Sequence, residues 1–416
     1  MLERVVNRLS LAGLCATLVG NGLGRFAFVA LMPALIQAGS FTKAEASTLG
    51  VATLVGYVFG ALATARLAER FASAWLLRGS MLGCAASFFA CALDGAGMPW
   101  ALGWRTLAGV CGAILMVLPA QVVLPRHAPQ IRARASGVVF SGVGVGAAMS
   151  GLLVPLLVAA SAAISLAAGR APGIAGAWLG LGAACLVLTA AAWRAWPDEG
   201  PRARRDAERV ALPAELRAVV WLLLAAHGLN AMGYLAHTLF LPDYAVRELG
   251  MPLSAGGFFW SMFGLGAALG PMVAGALGDA FGLRRCLMAG FALKAFAAIL
   301  PACSSGVPAL VVSSLLMGLC TPGVVTLVSA FALERLGPQH HARAWGLATT
   351  SFAIAQAGGG ALMAFAATRM TSYQGLFCAS AVALLGSFAC IALLRERVAP
   401  GQRSTLPTAI VAAPNP

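Results

Sequence analysis

Twelve stretches of mostly apolar residues, each bounded by charges or by Pro and Gly turns, dominate this sequence: about 9–36, 46–68, 76–96, 99–124, 136–160, 172–195, 217–243, 255–278, 285–304, 308–332, 345–368 and 373–394. A helix needs ~20 such residues to cross the hydrocarbon core of a bilayer. Runs this long and this uniformly apolar predict spanning helices. Of the 416 residues, 60% are hydrophobic and only 10% charged, so the chain is neither an ordinary soluble domain nor a disordered one. Twelve spans take roughly 240 residues, which leaves short loops and no large soluble domain.

The net charge of +14 would suggest nucleic acid in a soluble protein, but here its distribution gives orientation. An even number of spans puts both termini on one face. Loops on that face carry 21 Lys and Arg, including Arg66, Arg70, Arg126, Arg132, Arg134 and six from Arg194 to Arg217, whereas the opposite loops carry four: Lys43, Arg170, Arg247 and Arg369. The positive-inside rule predicts cytoplasmic termini in a cell inner (plasma) membrane. The polar stretch after the sixth span predicts a division into a six-helix half over 1–196, a linker over 197–216, a second half over 217–397 and a flexible cytoplasmic tail over 398–416.

An internal repeat supports that division. A shift of 209 residues superposes Asn21, Gly24 and Pro33 on Asn230, Gly233 and Pro242, Gly109 and Cys111 on Gly318 and Cys320, and Arg134 and Gly137 on Arg343 and Gly346. A shift of 210 superposes Gly56 and Gly60 on Gly266 and Gly270. The expected fold is an all-α integral membrane protein of twelve transmembrane helices in two pseudo-symmetric six-helix halves.

Three cations fall within predicted spans: Arg25, Arg105 and Lys294. A charge at that depth is costly and normally faces a protein interior or a water-filled cavity. Arg25 lies in Gly20-Asn21-Gly22-Leu23-Gly24-Arg25-Phe26-Ala27-Phe28, where Asn21 and Arg25 are one helical turn apart. This cannot be a dinucleotide loop, because no strand precedes it. Arg105, in Arg105-Thr-Leu-Ala-Gly109, is nearer its helix end, and Lys294 is read as either a lateral structural residue or a snorkelling one. In the seventh span His227, Asn230, Tyr234 and His237 recur at helical steps and predict one polar stripe.

None of the fourteen acids lies at mid-membrane, so the buried charge is cationic. This favours an organic anion as substrate, paired with the guanidinium fork of Arg25. The expected substrate-binding set is Asn21, Arg25, Phe28, Tyr57, Arg105, Asn230, Tyr234 and His237. Candidates for proton coupling are His227, His237, Asp94 and Asp243. The alternative is efflux of neutral sugars or amphipathic drugs by proton antiport. A membrane enzyme or a sensor fits less well, because no metal-ligand spacing, nucleophile set, nucleotide loop or signalling domain is visible. Ten cysteines scattered singly read as small apolar residues. No cofactor and no metal site is expected. The expected partners are a small-molecule substrate, protons and the lipid bilayer, with no nucleic acid, and the chain is expected to act as a monomer.

Gly275-Ala-Leu-Gly-Asp279-Ala-Phe-Gly282-Leu-Arg284-Arg285 resembles the signature cytoplasmic loop of the major facilitator superfamily, and the arginine-to-glycine pattern of the fourth span is similar to that superfamily's motif there. Physically, an acid at a helix end beside a tight turn and two arginines can form a charge latch that breaks when the halves rock. The first-half counterpart keeps Glu69 and Arg70 but lacks the turn glycine and the basic pair. The Gly-Arg-Phe segment, with Gly56-Tyr57-Val-Phe-Gly60 in the second span, resembles the YbfB/YjiJ-like branch of the superfamily. That resemblance implies a permease, a secondary carrier rather than an enzyme, working by alternating access.

Overall fold

The computed structural model describes residues 5–93, 95–128, 131–168, 173–197, 200 and 214–394. Asp94, most of the proposed linker and the whole of the tail lie outside these residues. Twelve helices long and apolar enough to cross a membrane are present, and the described residues contain no strand. They are Arg8–Gln37, Lys43–Arg70, Ser73–Cys91, Gly97–Arg126, Arg134–Ala167, Ala175–Ala192, Leu216–Glu248, Leu253–Phe281, Leu283–Cys303, Val307–Leu336, Arg343–Arg369 and Gln374–Ala392. Each matches one predicted apolar run, with ends shifted by local chemistry. The second span starts at a capping box in which Thr42 and Glu45 satisfy each other's backbone N–H. The third ends at Cys91, ahead of the left-handed glycines Gly95 and Gly97. The fifth runs on to Ala167 through a stretch rich in alanine, the strongest helix former.

The sequence repeat is a packing repeat. A Cβ on Gly56 would collide with the carbonyl of Thr106, and one on Gly109 with that of Thr53, so the second and fourth spans are in backbone contact. In the second half, Gly266 stands against the Leu315 carbonyl and Gly318 against that of Phe263. Thr106 and Leu315 are 209 residues apart and Thr53 and Phe263 are 210 apart, so both glycines and both contacted carbonyls are reproduced. Small residues let helix backbones approach this closely in lipid, where dispersion and weak hydrogen bonds replace the hydrophobic effect between helices.

The halves meet along two seams. Gly144 faces Ala268 and Gly151 faces Gly257 where the fifth span crosses the eighth, and Ser261 Oγ donates to the Ala148 carbonyl at 2.9 Å across this seam. Gly360 of the eleventh span sits against Leu54 of the second. These contacts run from mid-helix toward the face opposite the termini. At that far rim Lys43 Nζ lies 4.1 Å from the centre of the Tyr373 ring, which joins the halves once more.

Two spans are broken. The first is helical over Arg8–Thr17, forms a π turn over Leu18–Leu23 and resumes as Phe26–Gln37. The seventh is helical to Gly233, restarts as Leu235–Asp243 and ends in a π turn over Tyr244–Glu248. The residues at the two breaks, Arg25 and Tyr234, are repeat mates. Interrupted helices free backbone carbonyls at membrane depth, where they are tolerated only if other groups satisfy them.

Candidate substrate site

The two breaks face each other at the centre of the molecule. Arg25 Nη2 donates to Tyr234 Oη at 3.2 Å. Gln356 of the eleventh span completes the cluster. With its amide oriented by the hydrogen-bond network, its oxygen accepts from the Tyr234 hydroxyl, from Arg25 Nη2 at 2.7 Å and from Nη1 at 3.2 Å. Arg25 also lies 5.0 Å from the Phe26 ring, and Phe26 stands edge-on to Trp260 of the eighth span at 5.5 Å. One short segment of the first span therefore touches the seventh, eighth and eleventh.

Arg105 reaches the same place from the fourth span. Its Nη2 donates to the Gly24 carbonyl, freed by the break, at 3.0 Å, and its guanidinium lies 4.8 Å from the centre of the Phe28 ring. It is 1% exposed, which rules out snorkelling, and its Nε and Nη1 have no partner. Burying donors without acceptors costs about 1–3 kcal/mol each, more for charged groups. Arg25 and Arg105 line a shared cavity of about 20 Å³, with Ser47, Thr53 and Thr238 as further polar groups and Phe28, Met32, Leu54 and Phe240 among the apolar ones. That is room for a water molecule or so, and an organic molecule requires the halves to part.

Other expected site residues are placed differently. Tyr57 lies close enough to Arg25 and Tyr234 to feel their field. Asn21, buried within the π turn, donates to the Gly112 carbonyl at 3.0 Å and ties the first span to the fourth. The polar stripe of the seventh span divides between two faces. Its His227 ring packs 4.8 Å from Phe352 and 5.7 Å from Trp345, and Tyr234 stacks on the same Phe352 at 5.9 Å. Asn230 and His237 turn toward the outer helices. Asn230 Oδ1 accepts from Lys294 Nζ at 2.7 Å, and His237 Nε2 lies 2.6 Å from Ser313 Oγ, which itself donates to the Ala297 carbonyl.

Lys294 thus corrects the reading of a snorkelling residue: it is 0% exposed, points inward and lies 4.9 Å from the Tyr234 ring centre. Asp243 is also buried, held by Arg247 through Nε at 2.6 Å and Nη2 at 2.8 Å and by the Tyr373 hydroxyl at 2.5 Å. This closed network ties the seventh span to the twelfth at the far edge, away from the cavity.

Of the expected latch, Gly282 makes the turn with φ +90, and Arg284 Nη2 donates to the Ala392 carbonyl at 2.9 Å. Asp279, Arg285, Glu69 and Arg70 are exposed, and the two acids form no ion pair among the described residues. Gln356 is the residue that sequence reasoning missed. Its one available signal was an amide in an apolar run, just before Gly358-Gly359-Gly360.

A twelve-span bundle of two repeated halves, with interrupted helices meeting around a polar centre, has the major facilitator fold. Residues 17–392 match the family described as the uncharacterised MFS-type transporter YbfB, and the chain belongs to that family. It is a multi-pass membrane protein, and family and fold point to transport rather than catalysis. No curated protein matches the chain. Among solved structures, a bacterial homologue of the human lysosomal transporter Spinster, in an inward-facing and occupied conformation, is similar at 17% identity, with 92% of this chain and 93% of that one covered and a TM-score of 0.65. A point mutant of the nucleoside transporter NupG is similar at 13% identity, with 94% and 100% covered and a TM-score of 0.71. These likenesses show the fold.

Proposed function

We propose that this protein is a secondary carrier of small organic anions across the cell inner membrane, working by alternating access with both termini cytoplasmic. The observation that carries the reading is the pair Arg25 and Arg105, which line one cavity with no carboxylate of the described residues among their hydrogen-bond partners. A carrier of cations would be expected to hold a buried acid there. Arg105 keeps two unpaired donors beside the cavity, and a carboxylate oxygen would satisfy them with charge-assisted bonds. The apolar lining suits a short hydrocarbon or aromatic body behind the acid.

Seams closed from mid-helix outward, and latch acids with no ion pair among the described residues on the other face, support a conformation open toward the cytoplasm. In this reading Asp279 meets its partners only when that face closes. Substrate enters from one side, draws Arg25 and Arg105 onto its carboxylate, and the halves rock about the glycine seams.

The test is a thermal-shift screen of the purified protein against aliphatic and aromatic monocarboxylates, their methyl esters, neutral sugars and cationic drugs, beside Arg25→Ala. A ligand of the folded state raises the melting temperature by mass action. Carboxylates should stabilise the wild type but not Arg25→Ala, and their esters should stabilise neither. Stabilisation of both proteins by sugars or cationic drugs would remove the anion reading in favour of efflux.

A further inference from the structure

The chain has 28 basic residues, of which only Lys43 and Lys294 are lysines. Arginine serves in almost every loop and at both other positions within the spans, 25 and 105, yet position 294, wholly buried, holds a lysine. We propose that Lys294 is the proton-carrying group of this transporter and that Tyr234 transmits its charge to the substrate cluster. The proposal rests on the reading of the protein as a secondary carrier and supplies its coupling ion.

Arginine keeps its proton under all ordinary conditions, whereas a lysine can give its proton up. Among these three cations Lys294 is therefore the one able to alternate between two charge states. A carboxylate partner would hold the ammonium form, but the partner is an amide: Asn230 Oδ1 accepts from Nζ at 2.7 Å. The other end of that amide, Nδ2, is buried with no acceptor. An amide rotated by half a turn presents N–H in place of C=O, so Asn230 can accept from the ammonium and donate to the lone pair of the neutral amine. The unpaired Nδ2 is what such a two-state partner leaves over while the lysine is charged.

The titratable groups facing Lys294 are His227, His237 and Tyr234 on the seventh span and Cys320 on the tenth. None is an acid. The two histidines stand on opposite sides of Asn230 along the span, each with an unpartnered Nδ1. The step is simple: a proton adds to the amine lone pair to give the ammonium, and later leaves for water with that pair restored.

The charge reaches the substrate through one ring. Nζ lies 4.9 Å from the Tyr234 ring centre, and the hydroxyl of that ring is bonded to Arg25 and Gln356. A protonated Lys294 adds positive potential to the anion site, and by reciprocity a bound anion favours the protonated lysine. Anion and proton therefore travel together, as in symport.

The experiment uses the full-length protein in nanodiscs, labelled with ¹⁵Nζ-lysine and ¹³Cζ-tyrosine, followed by NMR from about pH 5 to about pH 9, a range in which a perturbed lysine can titrate. Only two lysine and four tyrosine signals exist, so assignment is direct. Lys294→Met removes one lysine signal, Lys43→Arg confirms it by removing the other if the first variant folds poorly, and Tyr234→Phe identifies its own. The expected result is that the Lys294 signal passes between charged and neutral forms within the range and the Tyr234 signal shifts with the same midpoint. A Lys294 signal fixed in either form, or a Tyr234 signal that stays put while Lys294 titrates, overturns the proposal. Failure of carboxylates to stabilise the protein would remove the anion reading and leave this result standing, so the two fail separately.

Discussion

The first and seventh spans are repeat mates broken at the same place, yet each break is held differently. In the first half the freed Gly24 carbonyl is capped by Arg105, a permanent charge, and Asn21 bonds the backbone of the fourth span. In the second half Tyr234 takes the position of Arg25, and Asn230, mate of Asn21, bonds Lys294 instead of backbone. The scaffold has stayed symmetric while the chemistry at its centre has diverged. One half offers fixed positive charge to the cavity, and the other offers a hydroxyl backed by a cation that can be switched.

The comparison can be broken from several directions. Arg105→Ala removes a charge-assisted bond to Gly24 and half of the cationic pair, at a cost of about 1.5–3 kcal/mol, or roughly tenfold to a hundredfold in carboxylate affinity. Isothermal titration should find that Arg105→Lys does not restore it, because an ammonium cannot replace the planar fork. If Arg105→Ala binds carboxylate as the wild type does, the first-half break is structural only.

Gly56→Ala and Gly266→Ala each force a methyl into a carbonyl of the neighbouring helix. Overpacking of this kind costs about 1–3 kcal/mol. The two variants should lower the melting temperature to a similar degree, and a large difference between them would show that the scaffold's symmetry is not energetic.

Tyr234→Phe removes the hydroxyl shared by Arg25 and Gln356. It should weaken carboxylate binding by about 1 kcal/mol, near fivefold, while Asn21→Ala, at the mate of Asn230, should change melting temperature and leave carboxylate specificity alone. Smallest is the far rim: Lys43→Ala deletes a cation resting on Tyr373 and should shift the balance between conformations by about 0.5–1 kcal/mol toward opening on that face. Distance measurements between spin labels on the second and twelfth spans would read that shift.

Much of this architecture could be read from residues alone. The offsets of 209 and 210 residues predicted the two halves, and Gly56, Gly109, Gly266 and Gly318 among the matched glycines make equivalent helix contacts in both. The cost of a charge in lipid singled out Arg25, Arg105 and Lys294 before any geometry was known. Neighbours were less legible. Hydropathy reports the cost of burying Lys294 but not that Asn230 faces it, and helical spacing pairs Asn21 with Arg25 where the structure has a π turn and bonds Asn21 to the Gly112 carbonyl. Gln356 carries no charge and stands alone in its span's polar pattern, so only the folded structure brings it to Arg25.

The central claim is that the two cations lining the cavity, Arg25 at the break of the first span and Arg105 bonded to that break, serve an anion. It is tested most directly by uptake of radiolabelled monocarboxylate, chosen from those that stabilise the protein, into proteoliposomes holding wild type, Arg25→Gln or no protein. The account predicts uptake by the wild type well above the empty vesicles, loss of at least tenfold in Arg25→Gln, and no competition by the methyl ester. Equal uptake by the variant, or equal competition by the ester, would contradict it.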